Sequence, residues 1–160
     1  MAELISEGVD VNAPGAGGRT PLMEAVDEPG DLLDHEQGDV VRLLLAAGAS
    51  VSARGDNGWT ALHYGTRAGP AAITALLGAG ADVDAKATDV STPLHCAVEY
   101  GNSGAVATLL DHGASALRQN RWGVTPLQVA ELEVLKFPDD DAAEVLELLR
   151  RAANHESRVD

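Results

Sequence analysis

Three groups of side chains in this 160-residue chain are of types found in active sites, and their spacing decides what they can do. His95 is followed by Cys96, the sole cysteine, and His63 stands 32 residues before His95. A thiol beside an imidazole suggests nucleophile and base, but successive helical residues project about 100° apart and cannot pair in that way. Asp34-His35-Glu36 places three metal-ligating types in a row. No second His or Cys cluster at ligand spacing accompanies it, so a solvated loop without metal is expected. Gly15-Ala16-Gly17-Gly18 is rich in glycine, yet it follows no strand and helix of the nucleotide-binding kind. With no nucleophile, base and oxyanion donors assembled, the expectation is a protein with no catalytic residues and no cofactor.

The two histidines instead share a position in a phrase that recurs four times: Thr20-Pro21-Leu22-Met23, Thr60-Ala61-Leu62-His63, Thr92-Pro93-Leu94-His95 and Thr125-Pro126-Leu127-Gln128. The steps between threonines are 40, 32 and 33 residues. A second mark keeps the same phase, in glycines 8, 48, 80 and 113 and the short runs that follow them. Paired leucines at 44–45, 76–77 and 109–110 precede the last three of these glycines, and Leu148-Leu149 closes a final unit. A fixed period of this size means stacked supersecondary units.

Within a unit, threonine can cap the free N–H groups of a helix, and proline at the first helical position lacks the donor that would go unpaired. Leu94, Ala97 and Val98 then share one face of a short helix that Gly101-Asn102 stops. A second helix is expected from about Ser103 to His112, with Val106, Leu109 and Leu110 inward and Gly113 at its end. Residues 114–124 suit an extended turn or hairpin to the next unit.

These phrases resemble the ankyrin repeat family, whose marks are a Thr-Pro-Leu-His-x-Ala start, a Leu-Leu-x-x-Gly-Ala-Asp-Val-Asn finish and a period of 33. The likeness covers residues 4–151, and the fullest copy runs from Thr92 to Ala114. It departs at Met23 and Gln128, which replace the histidine, at Ala61, which replaces the proline, and at Val90, which stands where the other fingers have Gly18, Gly58 and Gly123. The resemblance implies an all-α solenoid of stacked helix-turn-helix units with short β-hairpin or loop fingers. One domain of residues 1–160 is expected: an amino-terminal half repeat and first finger (1–19), full repeats (20–59, 60–91, 92–124), a capping repeat (125–152) and a tail (153–160). The family's histidine usually ties the hairpin backbone to the helix, which gives His63 and His95 structural roles.

Composition agrees, with 45% apolar residues for a continuous core and only 3% aromatics, as thin layers of small side chains require. One cysteine excludes an internal disulfide, and no secretory leader or long apolar run is evident, so a cytoplasmic protein is expected. The formal charge of −14 opposes nucleic acid and anionic membranes and favours a protein partner with a basic surface. A monomer is the expectation.

Two segments lengthen the unit between its first and second helix. Seven carboxylates and no Lys or Arg lie between Glu24 and Asp39; seven carboxylates and one lysine lie between Glu131 and Glu147. Asp27, Glu28, Asp31, Asp34, Glu36, Asp139, Asp140 and Asp141 would form an acidic rim, set against the plainer reading of polar surface turns. Repeats of this family usually dock partners on finger tips and first helices. Carried over residue by residue, the implied contacts are Arg19, Arg54, Asp56, Asn57, Trp59, Asp89, Arg121 and Trp122 in the fingers and Arg67, Glu99 and Tyr100 at the helix ends. Both tryptophans fall in this set, and Trp, Tyr and Arg dominate interface energetics. The alternative for Trp59 and Trp122 is packing between hairpins. Binding as a scaffold or regulator is the first functional expectation; an acidic, immunity-type inhibitor of a basic nuclease-like partner is the second.

Overall fold

The computed structural model describes residues 10–27, 34–137 and 140–158. The expected half helix at residues 1–8 and the rim acids Glu28, Asp31 and Asp139 lie outside the described residues. Among those described there are eight α-helices and no strand: α1 (Pro21–Asp27), α2 (Asp34–Ala46), α3 (Ala61–Tyr64), α4 (Pro70–Gly78), α5 (Pro93–Glu99), α6 (Ser103–Asp111), α7 (Pro126–Lys136) and α8 (Asp140–Glu156). They pack as antiparallel pairs α1–α2, α3–α4, α5–α6 and α7–α8. Neighbouring pairs stack so that α1, α3, α5 and α7 form an inner row and α2, α4, α6 and α8 an outer row.

Each inner helix begins just after the recurring threonine, whose backbone amide bonds to the side chain three residues on. The amide of Thr60 donates to Nδ1 of His63 at 3.2 Å, and that of Thr92 to Nδ1 of His95 at 3.1 Å. Gln128 Oε1 accepts the Thr125 amide at 2.9 Å, and the Met23 sulfur accepts that of Thr20 at 3.5 Å. The departures at Met23 and Gln128 therefore keep this amide bond with a different acceptor. The first three inner helices are short; α3 passes after Tyr64 into a 3₁₀ turn, Gly65–Arg67. Three of the outer helices, α2, α4 and α6, end in a common six-residue closure, in which the amides of Ala49, Ala81 and Ala114 donate to the carbonyls of Leu44, Leu76 and Leu109.

The apolar core is continuous along the stack: Leu22, Leu62 and Leu94 from the inner row and Val41, Ile73, Leu76, Val106, Leu109 and Leu149 from the outer row are all buried in one cluster. Burying each such leucine or isoleucine contributes about 1.5–3 kcal/mol. The α2–α4 contact is closer than a side chain allows, because a Cβ on Gly38 would stand 2.9 Å from that of Ala71. Asp34, at the start of α2, reaches the same neighbour and accepts the Ala71 amide at 3.0 Å. The last helix continues to Glu156, past the boundary expected at residue 152. Ala153 is buried, and the Glu156 carboxylate accepts the Ser115 hydroxyl and the Ala116 amide, each at 2.7 Å. Residues 153–156 thus belong to the last helical pair.

The fingers are loop tips whose bases are closed by backbone bonds from the amides of Gly15, Gly55, Ala87 and Asn120 to the carbonyls of Arg19, Trp59, Ser91 and Val124. Val90 keeps the geometry of the glycine-bearing fingers by adopting φ 66°, beside 68°, 77° and 73° at Gly18, Gly58 and Gly123. The loop geometry is preserved and the strain is placed on a β-branched residue.

Candidate functional site

The histidines are cores of finger-to-helix ties. Because Nδ1 of His63 accepts from Thr60, its Nε2 carries the proton and donates to the Ser91 carbonyl at 3.2 Å; Nε2 of His95 donates to Val124 at 3.0 Å in the same way. Each imidazole therefore bonds the start of its own helix to the next finger. Burial drives the His63 pKa down to about 4, with the Ser91 bond acting in opposition, and lowers that of His95 for the same reason. Burial likewise pushes the Cys96 thiol up to about 12, so it stays protonated and unreactive.

The fingers are fastened into a row by backbone bonds repeating at one register. The carbonyls of Gly17, Asn57 and Asp89, each three residues before a capping threonine, accept the amides of Asp56, Thr88 and Arg121 in the following finger. Side chains reinforce the row. Arg54 donates through Nη1 to the carbonyls of Gly58 (2.8 Å) and Lys86 (2.6 Å), which fixes it as a strut between fingers. Asn57 Oδ1 accepts the Trp59 amide at 3.0 Å, and Asp89 accepts both the amide and hydroxyl of Ser91. Asp56 is exposed at the second tip.

The two tryptophans part company. Trp59 is half-buried, stacks on His63 with centroids 5.9 Å apart and meets Tyr64 edge-on at 5.0 Å. Trp122 is 67% exposed at the last tip, with the Arg121 guanidinium 5.9 Å from its ring. Trp59 lies directly before its capping threonine and folds back on the helix, whereas Trp122 lies two residues farther out.

Along the inner row, position seven after the threonine carries Asp27, Arg67, Glu99 and Leu132 in turn. Asp27 accepts from Arg19 at 2.6 Å and from Arg67 at 3.2 Å, and its side chain is only 12% exposed. Arg19 also lies over Tyr64 and Arg67 over Tyr100, at 4.7 and 5.4 Å from the ring centroids. Asp27 is thus a neutralised joint between the first two pairs. Glu36, Asp140 and Asp141 are exposed in the first turns of α2 and α8.

Beyond this row a cleft of about 350 Å³ opens where α5 and α7 end and α8 begins. Val98, Ala130 and Val145 form its buried floor, and Glu99, Tyr100, Gly101, Glu133, Phe137, Asp141 and Ala142 complete its lining. Partial burial, together with the charges of Asp89 and Glu133, raises the Glu99 pKa against the opposing pull of Lys136. Phe137, 63% exposed, is an aromatic lining residue that the repeat pattern did not single out. Its one sequence signal is an aromatic inside an otherwise acidic insertion.

No helix among the described residues is long and apolar enough to cross a membrane, and no group of three or more potential metal ligands gathers there. A family model described as ankyrin repeats, in three copies, matches residues 1–87 and again residues 68–154. A search of curated proteins returned no match.

Proposed function

The chain belongs to the ankyrin repeat family, and on that premise we propose that it binds a partner protein across the face made by its fingers and inner helices, as a scaffold or regulator. Ankyrin repeats generally mediate protein–protein interactions. The observation that carries the reading is Trp122, an exposed indole held beside Arg121 on a finger whose backbone is tied to Asp89. An aromatic of this kind gives large contact area, and a preformed finger loses little ordering entropy on docking. A stack of this length offers an interface on the order of 800 Å² per partner.

The test is capture from the source cells by immobilised protein, run beside Trp122→Ala and Arg121→Glu variants. A partner retained by the native chain and lost from the variants supports the reading; one held equally by all three removes the finger from it.

The charge of −14 and the exposed Asp140 and Asp141 favour a second reading, an inhibitor that covers a basic, nuclease-like partner. Inhibition of a purified basic nuclease, relieved by salt, separates it from scaffolding.

A further inference from the structure

We propose that the cleft at the ends of α5 and α7 receives a lysine or arginine side chain from a basic segment of the partner protein, an assignment that rests on the protein-binding reading above. Two features of the cleft have to be satisfied together. Tyr100 and Phe137 present aromatic surface at its mouth, 45% and 63% exposed. Glu99, Glu133 and Asp141 set three carboxylates around that surface.

The cations at hand are already engaged. Lys136 pairs with Glu133 at 2.7 Å, and Arg67 pairs with Asp27 while lying over the Tyr100 ring. Glu99 and Asp141 have no ion pair among the described residues. An apolar or acidic segment would cover Glu99 without compensating its charge. A long-stemmed cation meets both demands, because its methylenes pack on the rings while its head reaches the carboxylates. Arg67 on Tyr100 is an internal example of the same contact. The site lies at the helix-turn edge, at the far end of the inner helices from the finger tips.

Chemical-shift titration of the full chain tests this with a short amidated peptide carrying arginines on either side of a leucine in a glycine–serine background. The control peptide has glutamates for the arginines. Saturable shifts at Tyr100, Gly101 and Phe137 with the arginine peptide alone are expected, weakened about tenfold by Glu99→Gln and by Phe137→Ala. Both positions are exposed, so thermal melts should match the native chain. Shifts confined to the fingers, or affinity unchanged in Glu99→Gln, overturn the assignment. Free argininamide binding as tightly as the peptide overturns it too, since the cleft would then read a small cation and no partner segment. A partner captured through Trp122 would survive any of these failures, so the two readings fall separately.

Discussion

His63 joins two units with one ring: Nδ1 accepts the amide of Thr60 at 3.2 Å while Nε2 donates to the carbonyl of Ser91 at 3.2 Å. Both bonds require the neutral imidazole in this tautomer, because a second ring proton would face the Thr60 N–H. The fold therefore favours a histidine that ionises less readily than an unfolded one.

That preference fixes how stability varies with pH. The folded His63 pKa, about 4, lies below its ordinary 6.5, so the unfolded chain takes up more protons between these values. Stability from this residue is complete above the unfolded pKa and is lost as the pH falls toward the folded one, by on the order of 3 kcal/mol. His95, lowered in the same direction, adds to the effect. Urea midpoints should fall steeply from about pH 6.5 toward pH 4. Gln128 already makes the equivalent bond to Thr125 without titrating. Replacing both histidines by glutamine should flatten the slope while costing about 1 kcal/mol per lost Nε2 bond at neutral pH. A slope that persists in the double variant would assign acid sensitivity to other groups.

Val90 is the other place where one residue bears the cost of a shared geometry. At φ 66° a β-branched side chain crowds its own backbone, a penalty of about 1–2 kcal/mol that glycine avoids. Glycine adds unfolded-state entropy and so returns part of the gain. Val90→Gly should raise the unfolding free energy by about 0.5–1 kcal/mol, seen as a higher denaturant midpoint with unchanged slope. A loss of stability would mean that the valine methyls pack better than their partial exposure suggests.

The period, the helix pairs and the caps were legible in the sequence because both members of each cap lie three residues apart. Threonine and its acceptor recur together, and even the substitutions at Met23 and Gln128 keep an acceptor. Long-range placement was less readable. Trp59 and Trp122 both precede a capping threonine, and only the folded finger shows that a difference of two residues sends one ring onto His63 and the other into solvent. Asp27 reads as a rim acid until Arg19 and Arg67 are seen to close on it from two units. Phe137 has no counterpart in the other repeats, so periodicity could not assign it a place beside Tyr100.

Opposite behaviour of the two indoles is the next expectation. Trp59→Ala removes stacking on His63 and Tyr64 and should cost about 2 kcal/mol or more of stability. Trp122→Ala should leave stability within about 0.5 kcal/mol of native while lowering partner affinity at least about tenfold. Equilibrium unfolding and binding measured on both single variants resolve the pair. Comparable destabilisation by each would place Trp122 in a packing role despite its exposure.

Asp27 and the acids of α8 should differ in how far their charge reaches. The Asp27 carboxylate is held by two guanidinium groups, so its field is largely cancelled locally, whereas Asp140 and Asp141 are exposed at a helix start. Double-mutant cycles should give a coupling of about 1 kcal/mol between Asp27 and Arg19, whose side chain is 24% exposed, and less than about 0.5 kcal/mol with the half-exposed Arg67. Association tells the complementary story. Asp140→Asn with Asp141→Asn should slow encounter with a basic partner several-fold at low salt and flatten its salt dependence; Asp27→Asn should leave the on-rate near native. Equal slowing by both variants would show that the arginines fail to neutralise Asp27, and the acidic rim would then extend to the first pair of helices.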